Sequence, residues 1–271
     1  MNRYLLNTFT TLELGLIIVG GFVILAVVGL LVTRRLAPSL REASENEIAG
    51  VILGVLAAIY GIVLAFVIVS LFEDFKKTQG DVRTEASAIS KVYRDSQAFA
   101  PAEAQRVRTA IGDYIYTVVH DEWPAMSHGK ESERAWADLA SIYRVLRTYE
   151  PVTTSQQVFY SEAVARINDV TGARRERLND NEESLPLTFE ILLVGGAGLL
   201  LAFMFIFGMR SARLHATMVM SVAVLLGFNL LLALVLDYPF SGQVVVSNSS
   251  YTSGGLAPFK NYVPARVRLN H

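Results

Sequence analysis

Apolar positions gather into four runs, Leu12–Thr33, Ile48–Phe72, Leu187–Phe207 and Leu214–Leu236, set as two pairs around a polar centre. A bilayer core takes about 20 apolar residues in helical form. Backbone amides in hydrocarbon must bond inside their own segment. Each run is therefore expected to be a transmembrane α-helix. Asn7, Thr8, Thr10 and Thr11 offer caps for the first, which stops at Arg34-Arg35, and Pro38 prevents its continuation. Ser44 and Glu47 have capping-box spacing just before Ile48, so the first two spans should form an antiparallel hairpin. Ser184-Leu185-Pro186 opens the third span, and Arg210 to Arg213 make a tight basic turn into the fourth. The first run is too long for a signal peptide and is followed by arginines rather than a cleavage site, which reads as an uncleaved anchor.

Between the pairs the period changes. Val82, Ala86, Ile89 and Tyr93 recur at spacings of three and four, as do Val107, Ile111, Tyr114 and Val118. So do Trp136, Leu139, Tyr143 and Leu146, and, more weakly, Val158, Ala163, Ile167 and Val170. Each stripe predicts an amphipathic helix with one buried face. Pro101, Pro124 and Pro151 mark breaks between these helices. No Pro or Gly lies between Gly61 and Gly80, so the first helix is expected to continue the second span. The tail from Asp237 is polar and glycine-rich and reads as extended, with one short strand at Gln243–Val246. The fold expected is an all-α membrane protein with four transmembrane helices in two hairpins flanking a helical polar domain. Its parts are 1–72, 73–186, 187–236 and the tail 237–271.

Composition narrows the function. A net charge of -1 excludes a nucleic-acid partner recognised through bulk charge. There is no cysteine, hence no disulfide, thiolate metal site or cysteine nucleophile. His120 and His128 flank Trp123-Pro124 on an expected loop and lack zinc-type spacing. No nucleophile elbow, phosphate loop or metalloprotease motif is present, so neither enzyme activity nor a cofactor is expected. Glu13, Glu73, Asp74, Glu190 and Asp237 all lie near span ends, and the absence of a mid-membrane ionisable relay weighs against an ion-coupled transporter.

Small and polar positions supply the candidate sites. Gly50, Gly54 and Ala58, then Gly61 and Ala65, line the second span at a spacing of four, the pattern that lets helices approach closely in lipid. They read either as an oligomer or pore-lining face or as packing within one subunit, and Ala223 and Gly227 in the fourth span read the same way. Gly195-Gly196-Ala197-Gly198 lies inside an apolar run, so it is a close-packing or hinge segment rather than a nucleotide loop. Asn229 is the clearest polar residue deep in a span, expected to hydrogen-bond another helix, with a role on a permeation path as the alternative, and Tyr60 and Ser70 are milder cases. The most distinctive string is Asp237-Tyr238-Pro239-Phe240-Ser241-Gly242, where Pro239 stops the helix and Gly242 permits a turn. Tyr238 and Phe240 suit the membrane interface. Asp237 opposes the helix dipole and calls for a partner, Arg210 or a base of the polar domain.

With this string, Glu85-Ala86, the Tyr114 region with Glu122-Trp123, and Leu185-Pro186, the chain resembles the DUF4239, or bestrophin-like, family over nearly its whole length. The family label implies no established activity. Its comparison with bestrophins implies a ring-shaped homo-oligomeric anion channel with the second span facing the axis. Bestrophins carry prolines along that helix and this span has none, so the likeness is one of architecture rather than pore chemistry. The protein is expected to be multi-pass in a bacterial inner membrane. Arg34, Arg35, Arg41, Arg210 and Arg213 in the short loops put those loops in the cytoplasm, whereas the bestrophin analogy puts the polar domain there, and both orientations stay open. Two functions are carried forward: the channel, and a membrane-anchored interaction or sensory protein whose residues 73–186 bind a protein partner.

Overall fold

The computed structural model describes residues 2–36, 46–206 and 211–268, and among these every regular element is helical. The chain divides into two compact units, Met1–Glu73 with Ser184–Tyr238 and Gly242–Val244, and Asp74–Glu183 with Pro239–Ser241 and Val245–His271.

The first unit holds α1 (Asn2–Thr8), α2 (Thr11–Leu36), the start of α3 (Asn46–Asp95), α8 (Leu187–Ile206) and α9 (Ala212–Asp237). Four of these, counting α3 from Ile48, are long and apolar enough to cross a membrane. Thr10 and Glu13 close a reciprocal cap at the start of α2: the Thr10 amide donates to Glu13 at 2.8 Å and the Glu13 amide to Thr10 Oγ1 at 3.2 Å. Without a hydrophobic drive between helices in lipid, close backbone approach holds the spans together. A Cβ on Gly227 would lie 2.9 Å from Val19 Cα, so glycine is what lets α9 meet α2. Gly196 lies under the Tyr60 ring, and the Tyr60 hydroxyl donates to the Leu193 carbonyl at 2.7 Å. Within the subunit, Gly196 and Ala197 of the glycine run in α8, and Ala223 and Gly227 in α9, are thus at packed positions, whereas Gly195 and Gly198 meet no neighbour among the described residues.

The second unit takes the rest of α3, α4 (Pro101–Thr117), a π-helical turn at Val118–Glu122, α5 (Trp123–Ser127), α6 (Glu133–Arg147) and α7 (Thr154–Glu182), then two 3-10 turns and α10 (Ala265–Arg268). Each predicted stripe points inward: Val82, Ile89, Val107, Ile111, Tyr114, Val118, Leu139, Leu146, Ile167 and Val170 are buried, while Val158 is exposed. α3 runs unbroken for 50 residues, as the missing Pro and Gly predicted.

Four expectations are corrected. Pro124 does not break the chain: the Trp123 amide bonds the Val118 carbonyl five residues back, and this widened turn accepts a residue without an N–H. His120 therefore sits in the π-turn, not on a loop, stacked on Tyr116 at 4.1 Å. Gln243–Val246 forms no strand, since its backbone finds turn and side-chain partners instead of a sheet neighbour, such as Val246 N–H to the Pro239 carbonyl at 2.8 Å. The tail is not extended. Val246, Tyr251, Leu256 and Phe259 join the core of the second unit, and Arg266 bonds Asp138 and Thr117. The Ser44–Glu47 cap and Arg210 lie outside the described residues, as do Arg41 and Phe207.

Candidate functional site

The apolar stripe of α7 passes through Ala163, Ile167 and Val170 and then, at the same spacing, through Arg174 and Arg177. Both arginines are fully buried. Arg177 Nε donates to Glu85 Oε2 at 2.8 Å, and its Nη2 lies 2.9 Å from Glu122 Oε1. Arg174 Nη2 donates to Glu122 Oε2 at 2.6 Å and to the Ser132 carbonyl at 3.3 Å. Glu85 comes from the buried face of α3 and Glu122 from the π-turn, which gives that bulge its purpose: it turns a carboxylate inward. The Tyr114 hydroxyl adds a 2.6 Å bond to Glu85 Oε1. The guanidinium of Arg174 stacks 4.0 Å from the Trp136 ring centre, and that of Arg177 lies 5.3 Å from Trp123.

Two cations and two carboxylates balance, which is what makes burial of all four tolerable. Burial works against the Arg177 charge, but Glu85, Tyr251 and Glu122 outweigh it and hold its pKa well above the ordinary value. Burial raises Tyr114 and Tyr251 far above an ordinary tyrosine. The four charged side chains, with Tyr114 and Tyr251, are closed to solvent, so the cluster ties α3, the π-turn and α7 together. Its reading from sequence was incomplete. Glu85, Tyr114 and Glu122 stand among the residues that carry the family resemblance, whereas the sequence reading assigns Arg174 and Arg177 to no site. The available signal was their continuation of an apolar stripe at helical spacing.

The aromatic-proline turn reaches the same cluster through Trp123. Phe240 is buried edge-on to Trp123 at 5.4 Å, Tyr251 packs against that ring at 5.8 Å, and Trp123 Nε1 donates to the Val246 carbonyl at 3.3 Å. Phe240 is thus a core residue, not an interfacial anchor. In the other unit, Asp237 Oδ1 accepts the Leu185 amide at 2.6 Å, a backbone N–H just ahead of α8. Gly242 has φ +88°, where side chains are strained, and its amide donates to Asn7 Oδ1 at 3.1 Å.

The α3 stripe falls elsewhere. Tyr60, Leu64, Val67 and Leu71 make its buried seam in the first unit. Gly54, Ala58, Gly61 and Ala65 lie one position on, rotated by about 100°, and are exposed, with Gly50 half-buried. No neighbour comes within 4 Å of where a Cβ on Gly54 or Gly61 would stand. Asn229 bonds the Leu225 carbonyl of its own helix at 2.8 Å, a correction to the expected bond to another helix, because the i−4 carbonyl lies within reach of its short side chain.

The profile described as the bestrophin-like domain matches residues 20–251. The chain belongs to the bestrophin-like family. No curated protein and no solved structure matches it. The matched stretch of this bestrophin-like protein includes Glu85, Tyr114, Glu122, Arg174, Arg177, the Asp237–Gly242 turn and, at its end, Tyr251. With four spanning helices, the bestrophin-like chain is an integral membrane protein.

Proposed function

We propose that this bestrophin-like protein is a homo-oligomeric channel that passes anions, with the small-residue face of α3 turned toward the subunit interface and the shared axis. One observation carries the reading: Gly54, Ala58, Gly61 and Ala65 form an exposed face on a helix whose seam is already filled by Tyr60, Leu64, Val67 and Leu71. Large apolar side chains, including Val55, Ile59, Ile62 and Phe66, occupy a further exposed face suited to lipid. A glycine-alanine face gains little from lipid and much from an approaching helix. From Ile48 to Phe72 α3 carries no charged side chain, so selection would rest on hydrophobic constriction and backbone dipoles. Helical spans, rather than a barrel, fit a bacterial inner membrane. The test is native mass in mild detergent followed by chloride flux from liposomes. A ring of four or more subunits with flux, both lost in Gly54→Leu, is expected; a monomer or dimer overturns the reading.

A second reading, membrane-anchored binding of a protein partner by the polar unit, is favoured by Val152, just ahead of α7, and by Val158 and Phe159 in its first turns, all exposed. It predicts that Gly54→Leu leaves partner capture unchanged and that Val158→Asp abolishes it.

A further inference from the structure

We propose that the cleft between α6 and α7 is a binding site for a small organic carboxylate with an aromatic or short alkyl body. The inference is independent of whether the chain forms a pore.

The cleft has a volume of about 500 Å³, within the range of pockets that enclose small ligands. Its walls are Leu146, Val164 and Ile167, with Tyr143 and Tyr160, and its rim carries Arg144 and Arg147. The lining holds two cations and no carboxylate. Arg106, Arg134 and Arg166 in the same unit each meet a carboxylate within 3.3 Å, whereas Arg144 and Arg147 meet none among the described residues. Spaced by three on the last turn of α6, they share one face. Their place at a helix C-terminus accounts for positive charge there, but not for its position over an apolar hollow.

The hollow is preformed. The Tyr143 hydroxyl pins α6 to α7, bonded to Asn168 Oδ1 at 2.7 Å, Thr171 Oγ1 at 3.0 Å and the Ile167 carbonyl at 3.2 Å. Tyr160 is backed by Tyr149 at 5.8 Å, and Tyr149 by Phe99 stacked at 4.2 Å. An apolar body would rest on Tyr143, Tyr160 and Val164, backed by the buried Leu146 and Ile167, while its carboxylate met the arginine pair, a geometry to which guanidinium groups are suited.

The experiment uses the full chain in phosphatidylcholine nanodiscs, with empty discs as the blank. Three soluble probes share one ring system: 1-naphthoate, 1-naphthalenemethanol and 1-naphthylmethylamine. Naphthoate should bind saturably, at least tenfold tighter than the alcohol, and the amine should not saturate. Arg144→Ala with Arg147→Ala should erase the advantage of naphthoate over the alcohol without shifting the melting temperature. Because both residues are exposed, the double variant tests the site rather than the fold. Equal binding of all three probes, unchanged naphthoate binding in the double variant, or uptake no greater than by empty discs would overturn the proposal. So would complete loss of naphthoate binding in phosphatidylglycerol discs, which would make a net anionic lipid headgroup the occupant.

Discussion

Arg177 and Glu85, 92 residues apart in sequence, meet at 2.8 Å with both side chains closed to solvent. The pair ties α7 to α3. Through Glu122 it extends to Arg174, and through Trp123 to the Phe240 turn. Removing one partner leaves a buried charge uncompensated, at a cost of about 3–5 kcal/mol. Glu85→Ala or Arg177→Ala should therefore lower the melting temperature sharply. Glu85→Leu combined with Arg177→Met, which leaves the Glu122–Arg174 pair intact, should recover much of the loss. A double variant as unstable as the sum of its parts would refute this.

The buried tyrosines make the fold sensitive to alkali. Burial raises the folded pKa of Tyr114 and Tyr251 above the unfolded value of about 10. Above that pH the unfolded chain releases a proton that the folded chain keeps, so stability falls as pH rises. The contribution is fully present below about pH 10 and is lost progressively above it. Tyrosinate absorbance should record these two hydroxyls ionising only together with loss of helicity. Tyr251→Phe should flatten the alkaline fall in melting temperature.

Glycines in the spans should divide by position. Gly227→Ala places a Cβ 2.9 Å from Val19 Cα and should cost about 1–3 kcal/mol through overpacking. Gly54→Ala meets nothing within 4 Å in the subunit and should stay within about 0.5 kcal/mol of the parent. Thermal unfolding in a detergent that holds the chain monomeric separates the two, and equal effects would count against the α2–α9 packing.

The aromatic-proline turn should be vulnerable at two points for different reasons. Phe240→Ala empties a core site against Trp123, a loss of about 3–5 kcal/mol, and should shift tryptophan emission. Gly242→Ala forces a side chain to φ +88° beside the Leu6 carbonyl, costing about 1–2 kcal/mol, and should leave that emission unchanged. Emission and melting temperature measured together distinguish a packing defect from backbone strain.

Local chemistry was legible in the chain. Apolar runs of bilayer length announced the spans, because lipid leaves an unpaired backbone no alternative to a helix. Periods of three and four announced the polar helices, and the stretch from Gly61 to Gly80, free of Pro and Gly between its ends, announced the continuity of α3. Thr10, one of four caps the sequence offers, closes the start of α2, with Glu13 as the partner the structure supplies. Pairing was not legible. Arg174 and Arg177 have the composition of membrane-flanking charge, and only the approach of α3 and the π-turn supplies the carboxylates that let them be buried. Asp237 needed a partner, but a backbone amide 52 residues away leaves no mark in composition. The sequence by itself determined which segments are helices and which of their faces are apolar, since both follow from neighbours along the chain. Tertiary structure decided which charges are buried together, which glycines touch and which arginines are left over a cleft, since those depend on groups brought together from distant parts of the chain.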